Sequence, residues 1–150
     1  MQIRYTDGRD SDFQSLCNAL DQFLNALVGG AEHRSQYLAH NTLEDIHDVL
    51  IAYDGDVPVG CVSFQHFARG VAEVKRVFVR EANRGKGVAR ELMLLLEQLA
   101  RKKGYSILIV ETGAPLVAAM RLYQSLGYRV IANYGPYKQM KDSICLEKEL

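Results

Sequence analysis

Two hydrophobic periods alternate along this chain. Residues 2–6 alternate in polarity and run into Asp7-Gly8, which predicts a short strand and a turn. Asp10 or Ser11 can cap a helix whose apolar positions, Phe13, Leu16, Cys17, Leu20, Phe23, Leu24 and Leu27, recur at helical spacing and form a core face. Gly29-Gly30 ends that helix, and the polar, histidine-rich stretch over 31–47 includes a second short helix expected from about Thr42.

Residues 49–53 and 57–67 read as antiparallel strands joined through Asp54-Gly55-Asp56, and the Arg69-Gly70 turn adds a third strand over 71–80. A long helix is predicted over 85–103, with Val88, Leu92, Leu95, Leu96 and Leu99 on one side and Gly104 as its stop. Residues 105–111 look like a buried strand, residues 115–125 a helix closed by Gly127, and residues 128–132 and 143–149 two final strands. The expected order is β-α-α-β-β-β-α-β-α-β-β, a mixed α/β fold in a single domain spanning 1–150, with no repeat or linker.

The segment Arg84-Gly85-Lys86-Gly87-Val88-Ala89 lies between a predicted strand and the first turn of the long helix. A helix start leaves backbone N–H groups without partners and carries partial positive charge, so a loop there can cradle a pyrophosphate. Gly85 and Gly87 allow close approach of the backbone, and Arg84, Lys86 and Arg90 add cations. Two other phosphate loops fail on spacing. No G-x-x-x-x-G-K-[ST] exists, and Arg90 occupies the last glycine position of a G-x-G-x-x-G fingerprint.

The segment resembles the Arg/Gln-x-x-Gly-x-Gly/Ala motif of the GNAT superfamily of acetyl-CoA-dependent N-acetyltransferases at Arg84, Gly87 and Ala89. Residues 72–79, Ala-Glu-Val-Lys-Arg-Val-Phe-Val, are similar to that family's fourth strand. Glu111-Thr112-Gly113 and Leu122-Tyr123-Gln124-Ser125-Leu126-Gly127-Tyr128 are similar to its fifth strand and following helix. The resemblance implies a twisted, mostly antiparallel sheet, splayed between strands 4 and 5 and flanked by helices, that binds acetyl-CoA. It implies that the backbone of Val77, Phe78 and Val79 pairs with the pantetheine arm. The amides from Arg84 through Gly85, Lys86, Gly87 and Val88 to Ala89 would hold the pyrophosphate, with Lys86 and Arg90 at the outer phosphates.

Acetyl transfer to an amine needs a base for the ammonium proton, a donor for the oxyanion and an acid for the leaving thiolate. The resemblance implies direct transfer in a ternary complex, with Tyr123 as the acid and Glu73 as the base. A packing role for Tyr123 and a surface pairing of Glu73 with Lys75 or Arg76 are the alternatives. Glu111 could bind the amine, relay protons or cap the following helix. His33, Arg34 and Tyr37, with the loop from Tyr134 to Tyr137, fall where the family usually lines its acceptor pocket. The acceptor is expected to be a small-molecule or peptide amine, and a homodimer is compatible with this reading.

With 150 residues and 48% hydrophobic content the chain can bury a core without disulfides or metal. Lys+Arg and Asp+Glu are equal at 18 each, so no overall field draws it to nucleic acid. The cations Lys75, Arg76, Arg80, Arg84, Lys86 and Arg90 lack the interleaved aromatics of a nucleic-acid surface. Cys17, Cys61 and Cys145 are widely spaced and read as small buried residues in a reducing compartment. His33, His40, His47 and His66 match no compact ligand spacing, so no metal is expected. The chain opens without an apolar signal-like stretch and carries no run long enough to cross a bilayer, which gives a cytoplasmic expectation without membrane partners. A different class, a non-catalytic acyl-CoA sensor, would share the loop and leave Tyr123 and Glu73 dispensable.

Overall fold

A computed structural model describes residues 1–28 and 43–150 of the chain. Its elements are β1 (Gln2–Thr6), α1 (Ser11–Val28), β2 (Asp48–Asp54), β3 (Val57–Ala68), β4 (Val71–Val79), α2 (Val88–Lys102), β5 (Ile107–Gly113), α3 (Val117–Ser125), β6 (Arg129–Ile131) and β7 (Ser143–Glu149). Short 3-10 turns lie at Glu81–Asn83 and Gly135–Tyr137. Among the described residues, seven strands form a sheet in the order β1-β2-β3-β4-β5-β7-β6. The β1–β2, β2–β3, β5–β7 and β6–β7 pairs are antiparallel and the β4–β5 pair is parallel. This is the mixed, mostly antiparallel sheet expected from the sequence. Contacts divide the chain into two compact units, residues 1–65 with 75–96 and residues 66–74 with 97–150.

In the first unit, Asp10 rather than Ser11 caps α1. Its Oδ1 accepts from the amides of Asp12 at 2.8 Å and Phe13 at 3.2 Å, satisfying two donors the helix start leaves open. Phe13, Leu16 and Cys17 of α1 are fully buried against Ile46, Val49, Ile51, Cys61 and Phe78. Each large side chain so buried contributes about 1.5–3 kcal/mol. Gly8 sits where the backbone folds tightly back: its amide donates to the Ile46 carbonyl at 2.7 Å, and a Cβ there would fall 1.8 Å from the Leu43 carbonyl oxygen. The short helix expected from about Thr42 lies largely outside the described residues, and residues 43–45 form a turn.

The long helix begins at Val88, three residues later than expected. Gly85 and Gly87 adopt φ of 76° and 79°, in the left-handed region, so neither belongs to a right-handed helix. The helix predicted over 115–125 likewise starts late, at Val117, past Pro115.

In the second unit, the parallel ladder of β4 with β5 runs over Val71↔Ile107 to Val74↔Val110, the first part of β4. β7 lies between β5 and β6 although it is last in sequence, and it pairs with β5 from Ile107↔Glu149 to Gly113↔Ser143. Glu97 of α2 is only 2% exposed. Its carboxylate accepts from Tyr128 Oη at 2.9 Å and pairs with Lys148 Nζ at 2.8 Å. A buried carboxylate needs both partners, because one left uncompensated costs several kcal/mol. Lys148 keeps some solvent contact, so we expect Lys148→Met to lower stability by about 3 kcal/mol, the low end for a broken buried pair. Adding Glu97→Leu should recover most of that loss in urea unfolding, and an unchanged midpoint for the single variant would contradict the reading.

Candidate active site

β4 carries a break in its own geometry. Arg76 has φ of 55°, the one left-handed non-glycine among the described residues. Such a conformation costs about 1–3 kcal/mol and persists only where its surroundings hold it. Here β3 holds it through side chains: Ser63 Oγ donates to the Lys75 carbonyl at 2.6 Å, and Cys61 Sγ to the Arg76 carbonyl at 3.3 Å. The Arg76 guanidinium, nearly buried, pairs with Asp21 of α1 at 2.8 Å. The kink redirects the peptide that follows, which is the amide of Val77. The Phe78 side chain belongs to the core cluster, so its offer to a ligand is its backbone.

After β4 the chain turns through Glu81–Asn83 into the glycine loop. Arg84, though exposed, is tied to the protein: Nε donates to the Val79 carbonyl at 2.8 Å, the guanidinium lies 4.8 Å from the Phe23 ring centroid, and its amide donates to the Glu81 carbonyl. The expected anchor therefore fixes the loop's entry, and its amide is already used. The first helical bond of α2 runs from Glu91 N to Gly87 O. The amides of Gly85, Lys86, Gly87, Val88 and Ala89 meet no acceptor among the described residues. A Cβ built on Gly85 or Gly87 would meet nothing within 4 Å, so these glycines answer to backbone conformation and to whatever rests on the loop. Consecutive amides at a helix start form an anion-binding concavity that fits a pyrophosphate. Lys86 and Arg90 stand exposed beside it.

The second unit gathers the acid–base candidates. Glu73 is 5% exposed, and its Oε2 accepts from Tyr134 Oη at 2.8 Å. Burial, then the charge and hydrogen bond of Glu73, push the Tyr134 phenol far above its ordinary pKa. The ring is held edge-on between Phe67 at 5.2 Å and Tyr137 at 5.7 Å. Asn133 Nδ2 ties this loop, lying within 3.2 Å of the carbonyls of Tyr137, Met140 and Ser143. Glu111 accepts from Ser143 Oγ at 2.7 Å, while the N-cap position of α3, Leu116, receives no side-chain cap. The Tyr123 ring is buried 5.9 Å from that of Tyr128, and its hydroxyl has no hydrogen-bond partner among the described residues. Burial, then the Glu111 charge, raise its pKa, so it stays protonated through neutral pH.

His33, Arg34, Tyr37 and His40 lie outside the described residues. All three cysteines are buried and free of disulfides. Contact with Cys17, then burial, raise the Cys61 thiol, and burial raises Cys145. Among the described residues, no cluster of His, Cys, Asp or Glu could hold a metal, and no helix is long and apolar enough to cross a membrane. The sequence reading missed Ser63, Cys61, Asp21 and Asn133. Only their three-dimensional partners distinguish them from ordinary core or loop residues.

Comparison with known proteins gives these features a context. Residues 13–128 match the family model described as Acetyltransferase (GNAT) family. An Azospirillum brasilense protein named IAA acetyltransferase is 31% identical over 150 residues, covering 97% of each chain. A solved Klebsiella pneumoniae structure assigned as an acyl-CoA N-acyltransferase superimposes with a TM-score of 0.82 at 27% identity, over 99% of this chain and 97% of that one. PaiA N-acetyltransferase of Thermoplasma acidophilum, solved with coenzyme A, gives 0.72 at 18% identity over 100% of both chains and shares the fold.

The loop geometry generates a binding prediction. Gly87→Val forces a β-branched residue into a left-handed conformation beside the open amides, and calorimetry should show coenzyme A affinity reduced at least about tenfold, a loss of 1.4 kcal/mol or more. Unchanged affinity in a folded variant would remove the loop from the site.

Proposed function

Because this chain belongs to the acetyltransferase (GNAT) family, we propose that it moves the acetyl group of acetyl-CoA to a primary amine by direct attack in a ternary complex. The observation that carries this reading is the row of open amides at Gly85 to Ala89, laid out for a diphosphate. Residues 1–150 act as one catalytic domain in this scheme. Acetyl-CoA supplies a thioester already activated toward nucleophiles.

The chain's residues supply the rest. The loop amides hold the pyrophosphate, with Lys86 and Arg90 at its margin, and the backbone of Val77 to Val79 receives the pantetheine arm. The Val77 amide, redirected by the left-handed Arg76, serves the developing oxyanion. Glu73 receives the ammonium proton. Tyr123 donates its phenol proton to the departing sulfur, and its hydroxyl, which has no hydrogen-bond partner among the described residues, is available for it. The burial that raises the phenol's pKa also raises the basicity of a thiolate leaving beside it, so the transfer is not opposed. Direct attack is supported by the burial of all three cysteines, which offer no accessible thiolate for an acyl-enzyme.

Glu111, Tyr134 and Tyr137, with His33, Arg34 and Tyr37, form the acceptor side of this scheme. The amine is a small molecule or a peptide amine. Thiol release measured across a panel of 2-phenylethylamine, spermidine, lysine methyl ester and a peptide N-terminus tests the reading, which predicts release with at least one of them. Tyr123→Phe should then lower kcat by about a hundredfold, the scale of lost general acid catalysis, with coenzyme A affinity unchanged. An unaltered rate would remove Tyr123 from the mechanism.

A further inference from the structure

We propose that Tyr134 is the group that meets the acceptor amine, passing the ammonium proton through its hydroxyl to Glu73. The inference rests on the acetyltransferase reading and changes what Glu73 does within it. Glu73 is 5% exposed, and the phenol of Tyr134 stands on its Oε2 at 2.8 Å. An amine bound at the Tyr134 loop meets this oxygen with the phenol already on it, and takes it by displacing the phenol or passes its proton through it. Displacement is opposed by the packing: the ring is gripped edge-on by Phe67 and Tyr137, and Asn133 binds the loop to three carbonyls. The connected route needs no such motion.

The proton accounting closes. As the ammonium N–H bond breaks, its proton goes to Tyr134 Oη, and the proton already on Oη moves to Glu73 Oε2. The products are a neutral amine, an unchanged phenol and a protonated carboxyl group. The amine nitrogen attacks the thioester carbonyl, the C–N bond forms, and the C–S bond breaks as the sulfur takes the proton of Tyr123. The tetrahedral N–H proton restores Tyr123, and the proton on Glu73 leaves to solvent. The sum is one acetamide, one thiol and one released proton per turnover. Tyr134 never has to exist as a free phenolate, in keeping with the upward push that burial and Glu73 place on its ionisation.

Phenylalanine at this position keeps the ring and its edge-on contacts and removes the hydroxyl, and with it the relay and the bond to Glu73. The test uses the fastest acceptor of the amine panel and its β,β-difluoro analogue, whose electron-withdrawing fluorines leave more of the amine unprotonated at neutral pH. For Tyr134→Phe, kcat with the parent amine should fall by about a hundredfold while the difluoro analogue recovers most of the rate, and coenzyme A affinity of the folded variant should stay unchanged. Glu73→Gln, which keeps shape and removes the proton acceptor, should show the same selective rescue. Equal losses with both amines would mean that Tyr134 only positions the acceptor, and no loss would mean that Glu73 acts without it; either result overturns the relay alone. Absence of thiol release from the unaltered protein with every amine would overturn the acetyltransferase reading, and the relay with it.

Discussion

A backbone amide that meets no acceptor is costly unless water or a ligand receives it, and the fold aligns several of them at one helix start. Gly85 and Gly87 hold left-handed conformations that keep the loop out of α2, so the helix begins at Val88 and its first internal bond forms at Glu91. Arg84 is tied to the Val79 carbonyl and the Phe23 ring, which anchors the loop from the protein side. The result is a row of donors that, in the proposed function, receives an anion supplied from outside. The proposed chemistry builds on this feature.

The same economy shapes the two residue groups that would perform the chemistry. In the first unit a strained Arg76 is stabilised by side chains from β3 and α1. In the second unit a buried carboxylate is matched by a phenol, and a rigid aromatic loop holds that phenol in place. The Glu97–Tyr128–Lys148 group shows the structural counterpart: a buried charge with both oxygens engaged and no role left for a substrate.

Much of this was legible before any coordinates. Glycines 85 and 87 beside a long amphipathic pattern marked the loop, and the family resemblance at Leu122-Tyr123 singled out Tyr123, whose burial only the structure shows. The apolar periodicity placed nearly every strand. The long helix was expected from residue 85, although its apolar positions begin at Val88, and the left-handed φ of Gly85 and Gly87 keeps those residues outside it. The insertion of β7 between β5 and β6 is a long-range pairing that local pattern does not encode. Ser63 and Cys61 look like ordinary members of an alternating strand, and their importance appears only with the carbonyls they cap. Tyr134 was visible as a loop aromatic, while its bond to Glu73, sixty-one positions away, required the fold.

The central claim is that the amides of residues 85 to 89 receive a diphosphate, and it can be read directly from the backbone. In amide-resolved NMR, titration with coenzyme A should move the Gly85, Gly87 and Ala89 resonances most, and dephospho-coenzyme A, which retains the diphosphate, should reproduce those shifts. Shifts confined to other parts of the chain while coenzyme A binds, with these amides unmoved, would contradict the account.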